Sequence, residues 1–233
     1  MMSFYECIIA QADVKVRSTN IAQAKEVVWK SKKIQTGIYK YPTESGIYLG
    51  AEDVVKDSVV DRKYHGGVDK ACYAFSADVY PEWKTMYPNL EWDFGMFGEN
   101  LTIDGLDERQ IYIGDQYQIG EALVEVSEPR EPCFKLGIRF GTQAVLKSFI
   151  NQSHCGVYFR TIREGKVHIG DDVQLVKRVQ EEFSMARIYW LRYNAQLKHI
   201  PEIHSALNIE SLAVSAKDGL RKRLTYLDQP GSL

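Results

Sequence analysis

Three short segments of this 233-residue chain hold residue types that can do chemistry. The first is Pro129-Arg130-Glu131-Pro132-Cys133-Phe134-Lys135. Its prolines stiffen the backbone. Residues 134–149 have helical character, which places Cys133 near a helix N-terminus, where Arg130, Lys135 and the aligned N–H groups favour a thiolate. Such a thiolate is a nucleophile or a soft metal ligand. The competing reading is a buried structural cysteine, which better suits Cys7, Cys72 and Cys155 in their apolar or small-residue surroundings. The second segment is Tyr64-His65-Gly66-Gly67-Val68-Asp69-Lys70. Two glycines let the backbone approach a ligand, and consecutive N–H groups can cradle an anion. His65 and Lys70 add donors, and Asp69 can orient a neighbour. The loop reads equally as a tight turn with a solvated rim. The third is Phe97-Gly98-Glu99-Asn100-Leu101. Asn100 could bond a planar polar ligand, although an ordinary turn entering a strand is the better reading.

Other candidates are single residues. A Cys-His hydrolase needs an imidazole beside the thiol and a third group to orient it. His65 and His154 are the available rings, while His168, His199 and His204 read as surface or helix residues. Lys40 ends the apolar run Gly37-Ile38-Tyr39-Lys40. It either places an ammonium in a barrel mouth or snorkels to solvent.

The elements that must position these groups are mostly short strands. Val14 and Val16 alternate with charged residues; Val27-Val28-Trp29, Ile34, Ile38 and Ile47-Tyr48-Leu49 continue the pattern between turn residues. Ala71–Phe75 reads as a fully buried strand. Ser76 then offers an N-cap to a helix carrying Val79, Tyr80, Trp83 and Tyr87. Residues 116–127 read as a hairpin turning at Gly120-Glu121. Residues 157–162 and 173–176 read as a strand pair. Ile113-Gly114-Asp115 and Ile169-Gly170-Asp171 share a turn before a strand, recurrent turn chemistry without a repeat architecture. This density of strands predicts a closed or nearly closed β-barrel. From Glu181 the period becomes helical: one helix over about 185–193, a second opened by Pro201, and a third with Leu212, Ala216, Leu220, Leu224 and Leu227 on one face. The expected organisation is a β domain over 1–180 and a three-helix appendage over 181–233, whose basic residues form a solvated face.

Composition bounds the function. The chain is 45% apolar and 26% charged with a formal net charge of −2. That is enough to bury a core, and it speaks against bulk nucleic-acid binding. No membrane span or secretory leader is expected, and four separated cysteines without a CxxC pair read as free thiols in a reducing cytoplasm. There is no GxGxxG after a strand and no P-loop.

Taken in order, Thr36-Gly37-Ile38-Tyr39-Lys40, the His65-Gly66-Gly67 loop, Phe97-Gly98-Glu99-Asn100-Leu101 and Pro129-Arg130-Glu131-Pro132-Cys133 resemble a MOSC domain. The name refers to the C-terminal domain of molybdenum-cofactor sulfurases, and the likeness is to the YiiM-like group with a helical extension after the barrel. The resemblance covers about residues 10–180, and the tail, including Ser215-Ala216-Lys217-Asp218-Gly219-Leu220, fits the same group. It implies a mainly β (α+β) fold, a MOSC-type β-barrel with flanking helices, that binds the molybdenum cofactor (molybdopterin). Cys133 would then be the molybdenum ligand and catalytic residue. Lys40, His65, Gly66, Gly67, Asp69, Asn100 and Arg130 would hold the pterin or its phosphate. It further implies reduction of N-hydroxylated compounds, hydroxylaminopurines and amidoximes, to amines. An external flavin or iron–sulfur protein would supply electrons; no pyridoxal phosphate is expected. Two alternatives stand beside this: a sulfur transferase using a Cys133 persulfide, and a non-catalytic cofactor-binding module. The chain departs from the family pattern ahead of the His65 loop. Val55-Lys56-Asp57-Ser58-Val59-Val60-Asp61 keeps Asp57 and Asp61 but lacks the glycine that often precedes the first aspartate.

Overall fold

The computed structural model describes residues 14–152 and 154–229. Cys7 and most of the expected leader-free N-terminus lie outside the described residues. The strands are β1 (Lys15–Ile21), β2 (Lys25–Trp29), β3 (Lys32–Thr36), β4 (Tyr41–Pro42), β5 (Ile47–Leu49), β6 (Cys72–Ser76), β7 (Leu101–Asp104), β8 (Gln116–Ile119), β9 (Ala122–Pro129), β10 (Val157–Arg163), β11 (Gly165–Val167) and β12 (Val173–Lys177). The helices are α1 (Arg62–His65), α2 (Tyr80–Met86), α3 (Phe134–Arg139), α4 (Ala144–Asn151), α5 (Met185–Asn194), α6 (Ile200–Leu207) and α7 (Val214–Leu227).

Eight strands form one mixed sheet in the order β12-β8-β9-β10-β6-β7-β1-β4. The apolar run of β6 sits inside it, buried at every residue, antiparallel to β10 and parallel to β7. A strand covered on both faces reads as a continuous apolar run, and this one does. Bulges in the β1–β7, β9–β10 and β8–β12 pairings bend the sheet strongly. Its ends approach where Val16 N–H donates to Asp171 O (2.9 Å), Gly170 N–H to Val16 O (2.8 Å) and Val173 N–H to Val14 O (2.9 Å). That contact is an isolated bridge rather than a ladder, so the fold is mainly β with flanking helices and the barrel is not closed.

Two local expectations need correction. Residues 157–162 and 173–176 are both strands, but they do not pair with each other: β10 lies between β9 and β6, and β12 on β8. The β8–β9 hairpin, turning at Gly120, comes between them. Ser76 remains the last residue of β6, its Oγ buried without a partner, and α2 begins four residues later with Pro81 in its first turn. The two Gly-Asp turns do share one chemistry. Gly114 and Gly170 have φ of 85° and 91°, and each following aspartate accepts from the N–H three residues back, Tyr112 N to Asp115 Oδ2 at 3.0 Å and His168 N to Asp171 Oδ2 at 2.7 Å.

Between sheet and helices lies an aromatic core of Phe75, Trp83, Phe97, Phe140 and Phe149, with Phe75 and Phe97 centroids 4.2 Å apart. The loop entering β7 is wound around the Glu99 carboxylate. It is fully buried and accepts from Gly95 N (2.9 Å), Phe97 N (3.0 Å), Thr102 Oγ1 (2.9 Å) and the Tyr80 hydroxyl. Each oxygen faces a backbone N–H, so an amide cannot replace it without setting NH2 against a donor. Glu99→Gln is therefore expected to cost about 3 kcal/mol, lowering the thermal midpoint by roughly 6–12 °C. A calorimetric midpoint unchanged from wild type would show that the loop does not depend on the carboxylate.

The last three helices match the expected period. Ser184 caps α5 by accepting from Arg187 N (3.2 Å), and Pro201 lies in the first turn of α6. Ala216, Leu220 and Leu227 are buried along α7 and Leu212 just before it. These side chains belong to the same buried cluster as the sheet. Ala213 N–H donates to Ser127 O of β9 (3.1 Å), so α7 is held directly against the strand that leads to Cys133.

Candidate functional site

β9 ends at Pro129, and the next residues deliver Arg130 and Cys133 into a cleft with an inner and an outer part. The inner part, about 70 Å3, is lined by Lys40, Asp57, Asp61, His65, Lys70, Tyr73, Asn100, Arg130, Cys133, Lys135 and Tyr158, among others. The outer part, about 580 Å3, shares His65, Lys70, Cys133, Lys135 and Tyr158 and is walled by Glu128, Glu131, Phe134 and three residues of α7, Ser215, Asp218 and Lys222. Of the expected site residues, Lys40, His65, Asn100, Arg130 and Cys133 therefore converge. Gly66, Gly67 and Asp69 do not line either part.

Cys133 is the N-cap residue of α3, half-buried, and its Sγ makes no capping bond. Cys72 and Cys155 are fully buried, and burial pushes both thiols up, away from thiolate character. That leaves Cys133 as the accessible thiol among the described cysteines.

Lys40 neither snorkels nor stands free. It is buried, and its ammonium is paired with the buried Asp57 carboxylate. Asp57 also accepts from Ala22 N (2.7 Å) and Asn100 Nδ2 (2.9 Å), and Asn100 further accepts from Tyr73 N (3.3 Å). Lys40, Asp57 and Asn100 thus form a satisfied network that ties three chain segments together. Asp57 was visible in the sequence only as a surviving family residue. The missing glycine before it changes little, because Lys56 takes the left-handed φ of 69° that a glycine would adopt, at a cost of about 1 kcal/mol.

Asp69 acts behind the site. Its carboxylate accepts from Arg160 Nε (2.6 Å) and its carbonyl from Ser127 Oγ (2.6 Å), fixing the loop between Gly67, with φ of 94°, and β6. Lys70 donates to Tyr64 O (3.0 Å) and lies 3.3 Å from Glu128. Glu128 in turn accepts from Ser215 Oγ (2.7 Å), and burial pushes its carboxyl up. Lys135 donates to Asp61 (3.2 Å).

Arg130 differs from these. It is 3% exposed, and its guanidinium lies 5.0 Å from the Tyr73 ring centroid and 5.5 Å from that of Phe149. Among the described residues no carboxylate pairs with it, and its Nη1 is buried without a hydrogen-bond partner. Arg130 lines the inner cleft, and a buried cation with an unmet donor is costly unless an anion arrives beside it. The aromatic floor of Tyr73 and Tyr158 escaped the sequence reading, since Tyr73 lies inside a run that reads only as buried strand.

His65 ends α1. Burial first, and then the Arg130, Lys135 and Lys70 cations, push its imidazolium down from 6.5 to about 4. No hydrogen bond to its ring exists among the described residues, and His154 is held by Glu108 (2.9 Å) away from the cleft. His65 lacks an orienting partner, and His154, though oriented by Glu108, does not line the cleft, so neither completes a Cys-His pair. Between pH 6.5 and 4 the unfolded chain binds the proton that folded His65 refuses, so stability rises with pH across this window and falls as pH drops toward 4. The contribution is at most about 3 kcal/mol. His65→Gln is expected to flatten that slope in the apo protein, read from urea midpoints at pH 4.5 and 7; parallel slopes would remove His65 as its source.

Among the described residues, no cluster of three or more His, Cys, Asp or Glu could hold a metal by itself. A metal held at Cys133 therefore has to arrive with its other ligands. An inner cleft offering one thiol, an arginine without a carboxylate partner, Lys70 and Lys135 besides the Asp57-paired Lys40, and a neutral imidazole suits an anionic, sulfur-rich metal cofactor. This fold and site define a class, and comparison with known proteins gives it a name. The family model for the MOSC domain matches residues 61–174, and the chain belongs to that family, whose members are associated with molybdenum-cofactor binding. It is 33% identical over 213 residues to the uncharacterized protein YflK of Bacillus subtilis, covering 91% of this chain and 96% of that protein. It is also 33% identical over 159 residues to a protein of Gibberella moniliformis named reductase, covering 67% of this chain and 28% of that longer protein. The crystal structure of YiiM from Geobacillus stearothermophilus superposes with a TM-score of 0.74 at 28% identity, covering 91% of this chain and 99% of that one.

Proposed function

We propose that this chain is a molybdenum-cofactor-dependent reductase that converts N-hydroxylated compounds, such as hydroxylaminopurines and amidoximes, to amines. The observation that carries the reading is the unpaired Arg130 Nη1 in the same inner cleft as the Cys133 thiol. When bound, the cofactor supplies the two-electron redox centre, and the chain supplies binding and orientation. Cys133 Sγ ligates the metal through a soft sulfur, which molybdenum accepts. Arg130, with Lys70, Lys135 and His65 around it, holds the anionic part of the pterin. The Lys40–Asp57–Asn100 network keeps the wall beside them rigid. The substrate enters through the outer cleft between Phe134 and α7. Converting N–OH to N–H with loss of water consumes two electrons and two protons. The Glu128 carboxylate, paired with Lys70 and accepting from Ser215, lines that cleft and fixes the Lys70 ammonium beside it. The chain carries no nucleotide fingerprint, so the electrons come from a separate flavin or iron–sulfur protein. Among the described residues no helix is long and apolar enough to cross a membrane.

The test is a metal and pterin analysis of protein made in cells with intact cofactor synthesis, followed by turnover of hydroxylaminopurine with a small-molecule reductant. Stoichiometric molybdenum and amine formation are expected. A persulfide trapped on Cys133 with no molybdenum would replace the reading with sulfur transfer. Stoichiometric pterin without turnover would leave a binding module.

A further inference from the structure

The hairpin of β2 and β3 differs in charge from the rest of the chain. Within residues 25–36, Lys25, Lys30, Lys32 and Lys33 stand against Glu26 alone, whereas the whole chain carries −2. All four lysines are exposed. Among the described residues the two strands pair only with each other, outside the eight-stranded sheet. Among the described residues, the only ion pair these lysines make is Lys33 to Glu26 (2.8 Å). The turn places Lys30 and Ser31 at φ of 48° and 63°, a two-residue hairpin turn built without the glycine or asparagine that would relieve its strain. A glycine there could not present a charge at the tip.

The ribbon stands at the rim of the cleft. Trp29 stacks on Phe134 with centroids 6.1 Å apart, one residue from Cys133. β3 runs directly into Thr36, Gly37 and Ile38, which line the inner cleft. Beside the lysines, Val28 is 69% exposed and Phe134 is 40% exposed. By strand alternation Val28 lies on the face opposite Trp29 and Phe134, and Lys33 and Lys32 stand across from Val28 and Trp29, so each face of the ribbon pairs an apolar side chain with a positive charge. Transient redox encounters use small surfaces of this kind, and opposite charge on the partner steers them together.

We propose that the β2–β3 hairpin is the docking surface for an acidic electron-transfer protein with an exposed flavin or iron–sulfur centre. The proposal rests on the reductase reading, under which two electrons leave that partner for each N–OH reduced, two protons are taken up and one water departs. The ribbon brings the partner's redox centre to the mouth from which Cys133 is one residue away.

The experiment titrates the cofactor-loaded full chain with two probes of net negative charge, a flavodoxin and a [2Fe–2S] ferredoxin, and with a short DNA duplex. Wild type is expected to bind at least one acidic carrier, with an affinity that falls as salt rises. Lys30→Glu/Lys32→Glu is expected to weaken that binding about tenfold or more, and Lys30→Gln/Lys32→Gln by a smaller factor. Both variants should keep the wild-type thermal midpoint. Carrier binding that ignores both variants, absence of binding to either carrier, or lysine-dependent binding of the duplex alone would each overturn the proposal. Turnover with a small-molecule reductant reads the reductase assignment separately. If that turnover fails while lysine-dependent carrier binding persists, docking stands and the reductase reading falls. Turnover without carrier binding sinks the docking surface alone.

Discussion

Cys133→Ser is expected to lose its molybdenum and about 100-fold or more of its turnover while the apo fold stays intact. Two features of the site separate these effects. The Cys133 Sγ makes no capping bond to α3, so its loss leaves no backbone donor newly exposed. Serine is also a preferred N-cap residue and can take up a bond that the thiol does not make. The thermal midpoint of the apo variant should therefore equal or slightly exceed that of wild type. The harder hydroxyl, in contrast, is a poor substitute for a thiolate on a soft-ligand metal. The decisive measurement is molybdenum content alongside apo stability. A serine variant that kept both metal and turnover would remove Cys133 from the coordination sphere. A variant that lost stability together with metal would mark Cys133 as structural.

Which parts of this arrangement were visible in the sequence follows from which depend on neighbours in sequence and which on neighbours in space. The buried strand β6 and the helix α7 announce themselves, because an unbroken apolar run and a one-sided apolar stripe are local patterns. The partners of β10 and β12 and the failure of the sheet to close are set by non-local pairing and by bulges, which no local pattern encodes. In the site, Cys133, His65 and Arg130 were legible from residue type and flanking prolines and glycines. Lys40 and Asn100 line the cleft, but their chemistry was not legible, because Asp57 neutralises the lysine and occupies the amide from a separate segment. Asp69 looked like a ligand-loop residue and instead bonds Arg160, far away in sequence. The α7 stretch from Ser215 to Asp218 fitted the family without a role; in space it walls the outer cleft and bonds Glu128.

Arg130→Met is expected to move stability and binding in opposite directions. In the apo protein the guanidinium is almost fully buried, stacked near Tyr73 and Phe149, and lacks a carboxylate partner among the described residues. Replacing a buried, incompletely paired charge by an apolar side chain of similar length is neutral or stabilising, here by up to about 1 kcal/mol, which corresponds to a midpoint shift of roughly 2–4 °C. Pterin retention should nevertheless fall by at least about tenfold, because a charge-assisted bond to the anion contributes roughly 1.5–3 kcal/mol. Arg130→Lys should recover part of that loss: it restores the charge but not the planar fork that can bond an anionic group at two points. Pterin content of the purified proteins and thermal midpoints of their apo forms measure the two effects independently. If Arg130→Met unfolded the apo protein as a core deletion does, the guanidinium would be a packing element and no anion would be needed to explain it. If the methionine variant retained pterin as wild type does, the anion would lie elsewhere in the cleft, on Lys70 and Lys135. A more stable apo protein that no longer holds its pterin is the outcome that a ligand-binding arginine requires, since the cost of burying the charge is then present in the empty pocket and offset only when the anion is bound.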